Sequence, residues 1–131
     1  MVTTEELAAR AAVIGDSPDL RALREQLRRR AQPVLERMPP VPDHKALLSM
    51  DGGVCPEDGA LLSFDPWSPR EHRCSRCGKT WQGQRHERNW ARFQHLWLAE
   101  RAAHLAALAA LGGGEGDEDA AARRAQEILT T

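Results

Sequence analysis

Three thiols in this 131-residue chain lie close enough in sequence to act together: Cys55, Cys74 and Cys77. They belong to two short segments, Cys55-Pro56-Glu57-Asp58-Gly59 and Cys74-Ser75-Arg76-Cys77-Gly78, which superimpose as Cys-x-x-ligand-Gly. A two-residue gap lets a tight turn aim two side chains at one ion, and the glycine that follows permits the sharp backbone turn. Fifteen residues separate Asp58 from Cys74, within the spacing of a four-ligand zinc site. The expectation is one structural zinc ion on Cys55, Cys74, Cys77 and a fourth group. Asp58 stands where a fourth cysteine would complete the pattern, and carboxylate oxygen binds zinc at about 2.0–2.2 Å. His72, just ahead of Cys74, is the rival, because imidazole is a commoner zinc ligand; His44 and His86 are more remote options. An odd, clustered set of cysteines suits metal binding better than a disulfide scaffold. The plainer alternative is three reduced thiols and no metal. No helical His-Glu-x-x-His pattern points to catalytic zinc.

A second constellation overlaps the first. From Arg70 to Arg92 the basic residues are Arg70, Arg73, Arg76, Lys79, Arg85, Arg88 and Arg92, against Glu71 and Glu87, a window of net +5 with Trp81 and Trp90 interleaved. Such a surface attracts a polyanion, either nucleic acid or an acidic polysaccharide; its bland counterpart is a solvated face balanced by acids elsewhere. Asn89, Arg92 and His95 are close on one helix and are candidate substrate-binding residues lining a groove. Trp90, Phe93 and Trp97, at helical spacing, read first as core.

The elements that must position these groups are mostly helical. Thr3 or Thr4 caps a first helix with Leu7, Ala11 and Ile14 on one face and Gly15 as its stop. Ser17-Pro18-Asp19 starts a second, in which Leu20, Leu23 and Leu27 recur at helical spacing and Arg28 to Arg30 face water. Pro33 should kink or restart it near Gln32, and Met38-Pro39-Pro40-Val41-Pro42 forms an extended linker. Periodicity vanishes from 44 to 84. There Gly52-Gly53 and Asp58-Gly59 mark turns, Leu61 to Phe64 and Lys79 to Gln82 read as short strands, and Asp65 to Pro69 reads as an ordered loop anchored by Trp67. From Arg85 to Leu111 a helix returns with Trp90, Phe93, Trp97, Leu105, Leu108 and Leu111 along a broad face. His104 is a surface or packed residue on it. Gly112 to Gly114 ends it, and Ala120 to Leu129 forms a last helix with Ala121, Ala125, Ile128 and Leu129 as its apolar side. The fold class is thus mainly α: N-terminal helices (1–39), a small zinc-knuckle insert with short strands (40–84), and an antiparallel helical hairpin (85–131).

Composition narrows the function classes. The net charge of −1 excludes a polycation acting as a whole. No apolar run reaches the roughly 20 residues that cross a bilayer, and the N-terminus lacks a signal-peptide pattern, so a cytoplasmic location is expected if Met1 is the native start.

The run Cys55-Pro56-x-Asp58-Gly59, the proline-tryptophan loop, His72-x-Cys74-x-x-Cys77-Gly78, Gly83, and the helix from Trp90 through His95 to Leu98-Ala99 resembles the N-terminal part of heparinase II/III-like and alginate-lyase-like polysaccharide lyases. The closing helix resembles their repeated hairpins, and the likeness covers about residues 40 to 131. The resemblance implies the start of an (α/α) toroid around a substrate canyon. It also implies a parent enzyme that cleaves uronic-acid polysaccharides by β-elimination, with an acidic polysaccharide as partner. Those enzymes commonly use tyrosine and histidine for proton transfer. This sequence has no tyrosine, so no catalytic residue carries over, and the chain is expected to be an inactive fragment. The competing expectation is a non-enzymatic zinc-knuckle module binding nucleic acid or a protein through its basic stretch.

Overall fold

The computed structural model describes residues 3–6, 8–9, 12, 17–46, 50–111 and 117–131. Its elements are α1 (Pro18–Glu36), a 3₁₀ turn (Asp51–Gly53), β1 (His72–Arg73), β2 (Thr80–Trp81), α2 (Gln84–Leu111) and α3 (Asp117–Thr130). The chain forms two compact units, one of residues 39–98 and one of residues 1–38 with 99–131, so α2 contributes its first half to one unit and its second half to the other.

In the helical unit, Thr3 and Glu6 form a reciprocal cap. Thr3 Oγ1 accepts the Glu6 N–H at 3.1 Å while Glu6 Oε2 accepts the Thr3 N–H at 2.9 Å, which satisfies two otherwise orphaned donors. Leu7, Ala11, Ile14 and Gly15 lie outside the described residues. Helix α1 starts as its sequence dictates: Ser17 Oγ accepts the Leu20 N–H at 3.4 Å and Pro18 occupies the first turn. It does not restart at Pro33 but runs on as one element to Glu36. Proline removes a single N–H, and the turn beyond it still closes through Arg37 N–H on the Pro33 carbonyl at 3.1 Å. The face that packs is Ala31 and Val34, both fully buried, whereas Leu20 and Leu23 are 37% and 52% exposed. The core of this unit adds Ala102, Leu105, Leu108, Ala121, Ala125 and Ile128, with α1 packed on α3. Leu129, expected on that apolar side, is 70% exposed; one residue beyond Ile128 turns it about 100° away.

In the 39–98 unit the first expected strand is absent. Leu61 and Leu62 make only isolated bridges, to Val54 and Cys74. The two-stranded antiparallel sheet instead pairs His72 with Trp81 and Arg73 with Thr80, so the Lys79–Gln82 expectation holds at its centre and β1 is new. The helix completes this unit. Trp90 is buried and donates its Nε1–H to the Asp65 carbonyl at 2.8 Å, while Phe64 packs against Trp90 and Phe93 at centroid distances of 6.5 and 5.9 Å. Trp67 meets Trp97 edge-on at 6.0 Å, anchoring its loop. No helix among the described residues is long and apolar enough to cross a membrane.

Candidate metal centre

Two turns of matching construction build the site. In the first, Gly59 N–H donates to the Cys55 carbonyl at 2.9 Å and Cys55 N–H to the Ala60 carbonyl at 2.7 Å. In the second, Gly78 N–H donates to the Cys74 carbonyl at 3.2 Å and Cys74 N–H to the Lys79 carbonyl at 2.8 Å. Gly59 and Gly78 have φ of +71° and +75°, a region that costs a residue with a Cβ about 1 kcal/mol or more. The correspondence extends to the ligands. Asp58 Oδ1 accepts the Ala60 N–H at 2.9 Å, just as the Lys79 N–H bonds to Cys77. Asp58 therefore occupies a cysteine's place, including its backbone hydrogen bond two residues on.

The ligand atoms of Cys55, Asp58, Cys74 and Cys77 all lie within 4.8 Å of one another. An ion bonded to sulfur at about 2.3 Å and to carboxylate oxygen at about 2.0–2.2 Å, at tetrahedral angles, places two sulfurs about 3.8 Å apart and sulfur from oxygen about 3.6 Å. The Cys55 and Cys77 sulfurs are 3.9 Å apart, and the Cys74 sulfur is 3.5 Å from both Asp58 oxygens. The residues fit a four-coordinate metal ion. All three cysteines are free thiols; Cys55 and Cys74 are buried and Cys77 is exposed. Four protein ligands fill a tetrahedron and leave no position for substrate, the pattern of a structural centre.

Local electrostatics prepare the site for a cation. The Ala60 N–H holds the Asp58 carboxyl below its usual range, against desolvation and with help from the surrounding thiols. At Cys74 desolvation opposes the thiolate, but the N–H groups of Cys77 and Arg76, each 3.4 Å from its sulfur, and the neighbouring thiols outweigh it and lower the group. At Cys77 the Lys79 N–H favours the thiolate, yet desolvation and the crowded Cys74 and Cys55 sulfurs push it up to about 11. Three thiolates and a carboxylate cannot share this volume without a cation, so metal binding here must release protons.

His72 is not part of the four-atom group. It sits on β1, 3% exposed, with its Nε2 buried and unpartnered, and burial followed by the nearby His86 lowers its pKa. His72 and His86 instead line a cavity of about 180 Å³ with Asn89, Trp90 and Phe93. His86 is fixed by its Nδ1 at 2.8 Å from the Gly52 carbonyl, and His44 pairs with Asp43 at 2.5 Å. Asn89 is buried against Gly53, where an added Cβ would meet its carboxamide at 2.9 Å. Arg92 reaches the Met50 sulfur at 3.4 Å, and His95 is exposed. The basic stretch is more neutralised than its window suggests, because two of its acidic partners come from outside it. Lys79 pairs with Glu57 at 2.5 Å and Arg85 with Asp51 at 3.1 Å, while Arg70 meets Glu87 at 3.7 Å.

Gln94 was not legible in the sequence as a structural residue. It is fully buried, and its Nε2 bonds the carbonyls of Pro40 and Pro66 at 2.8 and 3.1 Å, tying the proline linker and the tryptophan loop to α2. A glutamine within an aromatic helical face, beside two proline-rich segments that offer carbonyls and few N–H groups, is the signal that would have found it.

Compared with known proteins, the chain matches no family model, no curated protein and no solved structure.

Proposed function

We propose that the chain holds one structural zinc ion through Cys55, Asp58, Cys74 and Cys77, and that it serves as the zinc-clasped N-terminal portion of a lyase acting on uronic-acid polysaccharides. The observation that carries the metal reading is the convergence of the two matched knuckles at tetrahedral ligand spacing. Zinc is the assignment because a tetrahedral, thiolate-rich set with one carboxylate suits it, whereas magnesium or calcium would take oxygen ligands. When bound, the ion supplies cross-linking and no reaction chemistry. Cys55 and Asp58 fix the first turn, Cys74 and Cys77 fix the second, and Leu62 and Trp81 pack against the cluster of Cys55, Ala60 and Cys74.

The lyase reading is supported by the motif run from Cys55 to Ala99 and by the helical segments on either side of it. The start of an (α/α) toroid is part of that proposal. The chain has no tyrosine, so proton transfer is assigned to residues other than these, and the chain is expected to bind without cleaving. The test has two arms. Metal analysis should find about one zinc per chain; metal-free protein of full stability overturns the site. Binding to a uronic-acid polymer and to single-stranded nucleic acid, each titrated against salt, tests the partner. Preference for the polysaccharide supports the lyase reading, and preference for nucleic acid favours a non-enzymatic module. Equal, salt-labile binding to both leaves only general charge attraction.

A further inference from the structure

We infer that Cys77 is a site of oxidative modification by hydroperoxides, resolved by Cys55, so that a disulfide replaces the metal as the cross-link between the two knuckles. The inference rests on the zinc reading above and concerns what one exposed ligand does to such a site.

Three observations carry it. The cysteines are unequally exposed: Cys55 and Cys74 are each 2% exposed as residues, whereas Cys77 is an exposed residue. The Cys77 sulfur is 3.9 Å from that of Cys55, which belongs to the other knuckle 22 residues away. The fourth ligand is a carboxylate, which two-electron oxidants leave untouched. Here one disulfide leaves only Cys74 and Asp58, two ligands where a structural zinc site uses four. A single oxidation event therefore removes half of the ligand set.

The chemistry balances without any group beyond the peroxide. Bound metal holds the cysteines as thiolates. The Cys77 sulfur attacks a peroxide oxygen; an S–O bond forms, the O–O bond breaks, and the departing hydroxide takes a proton to become water. The sulfur has lost two electrons and is a sulfenic acid. The Cys55 thiolate then attacks it; an S–S bond forms, the S–O bond breaks, and the second hydroxide leaves as water after protonation. Two thiolates, one hydrogen peroxide and two protons become one disulfide and two waters. The new bond closes a long loop, so the knuckles stay joined after the ion departs.

The experiment uses the full chain. Metal content is measured first, and protein with no zinc overturns the metal reading and this inference together. Zinc-loaded protein is then treated with hydrogen peroxide, zinc release is followed with a colorimetric chelator, and disulfides are mapped by mass spectrometry after alkylation. The expected result is release of about one zinc per peroxide consumed, a Cys55–Cys77 disulfide, an alkylatable Cys74, and recovery on adding dithiothreitol and zinc. Zinc retained with all thiols intact overturns this inference alone. So does a Cys74–Cys77 disulfide, or Cys77 driven to sulfinate without a disulfide. Cys77→Asp keeps a fourth ligand but removes the reactive sulfur, and peroxide-driven release should slow at least about tenfold. The wild-type mapping decides the matter even if that variant does not fold.

Discussion

The two knuckles share one backbone and differ in one ligand. Cys55–Ala60 and Cys74–Lys79 repeat the same hydrogen bonds and the same left-handed glycine, yet the first offers a thiol and a carboxylate and the second two thiols. The turn therefore does not require cysteine at its fourth position. It takes a side chain that accepts the N–H two residues on, and Asp58 does so with its carboxylate grouped with the three thiols. What changes is the donor atom, oxygen for sulfur, while the turn is kept. A broader contrast lies behind this one. Around its knuckles the 39–98 unit has a small apolar cluster of Cys55, Ala60 and Cys74 beside Leu62 and Trp81, apart from the buried Trp90, Ala91 and Leu98 of its helix. The helical unit is held by ordinary burial of Ala, Val, Leu and Ile.

The largest effect expected from breaking the comparison is at Cys74, which is 2% exposed and belongs to the candidate ligand group. Cys74→Ser should lower bound zinc from one per chain to less than about 0.1 and abolish the near-ultraviolet circular dichroism of the tryptophans packed in that unit, because structural zinc contributes about 10 kcal/mol or more to such folds. Chelation of the wild type should do the same. Next in size, Asp58→Ala should weaken zinc binding by more than about 100-fold, beyond the loss caused by removing an outer partner, and His72→Ala by less than about 10-fold. Asp58→Cys should restore or exceed wild-type affinity; competition with a chromophoric chelator ranks all three. If His72→Ala proves the more damaging, Asp58 is not the ligand.

The symmetry of the turns makes a third, smaller prediction. Gly59→Ala and Gly78→Ala should each cost about 1 kcal/mol in denaturant unfolding, since φ alone sets the penalty. An added Cβ meets nothing within 4 Å at Gly59 and only the Arg73 guanidinium at Gly78, its Nη2 at 3.5 Å and Nε at 3.8 Å. Unequal costs would show that the knuckles are not equivalent.

The contrast between units is sharpened by pH. Desolvation, followed by Arg101, lowers the His104 pKa below its usual 6.5, and its Nδ1 is buried without a partner. The unfolded chain then binds a proton that the folded chain does not, so stability is full above about pH 6.5 and declines as pH falls toward the lowered value. Thermal unfolding of wild type and His104→Gln between pH 7.5 and 5 should show the decline flattened in the variant. Smallest of all, Glu57→Gln should leave both the unfolding midpoint and zinc affinity unchanged within error, because the Lys79–Glu57 pair is solvent-screened.

Much of this was readable in the chain itself. Cys-x-x-ligand-Gly repeated with its glycines fixes two turns locally, since the ligand gap and the left-handed φ are properties of five consecutive residues. Ser17-Pro18-Asp19 set the start of α1 for the same reason, and the alanine-rich periodicity set α2 and α3. The sequence left Asp58 and His72 as alternatives, because both lie at ligand distance along the chain. Only the tertiary structure separated them, by sending His72 onto a strand that turns it into the cavity with His86. It also decided which face of α1 is buried, where the two strands form, and that the acids neutralising the basic stretch come from Asp51 and Glu57. Each of these depends on residues far apart in sequence meeting in space, as in the bond from Gln94 to Pro40 across 54 positions. Local spacing determined the turns and the donor atoms; long-range packing decided which donors converge.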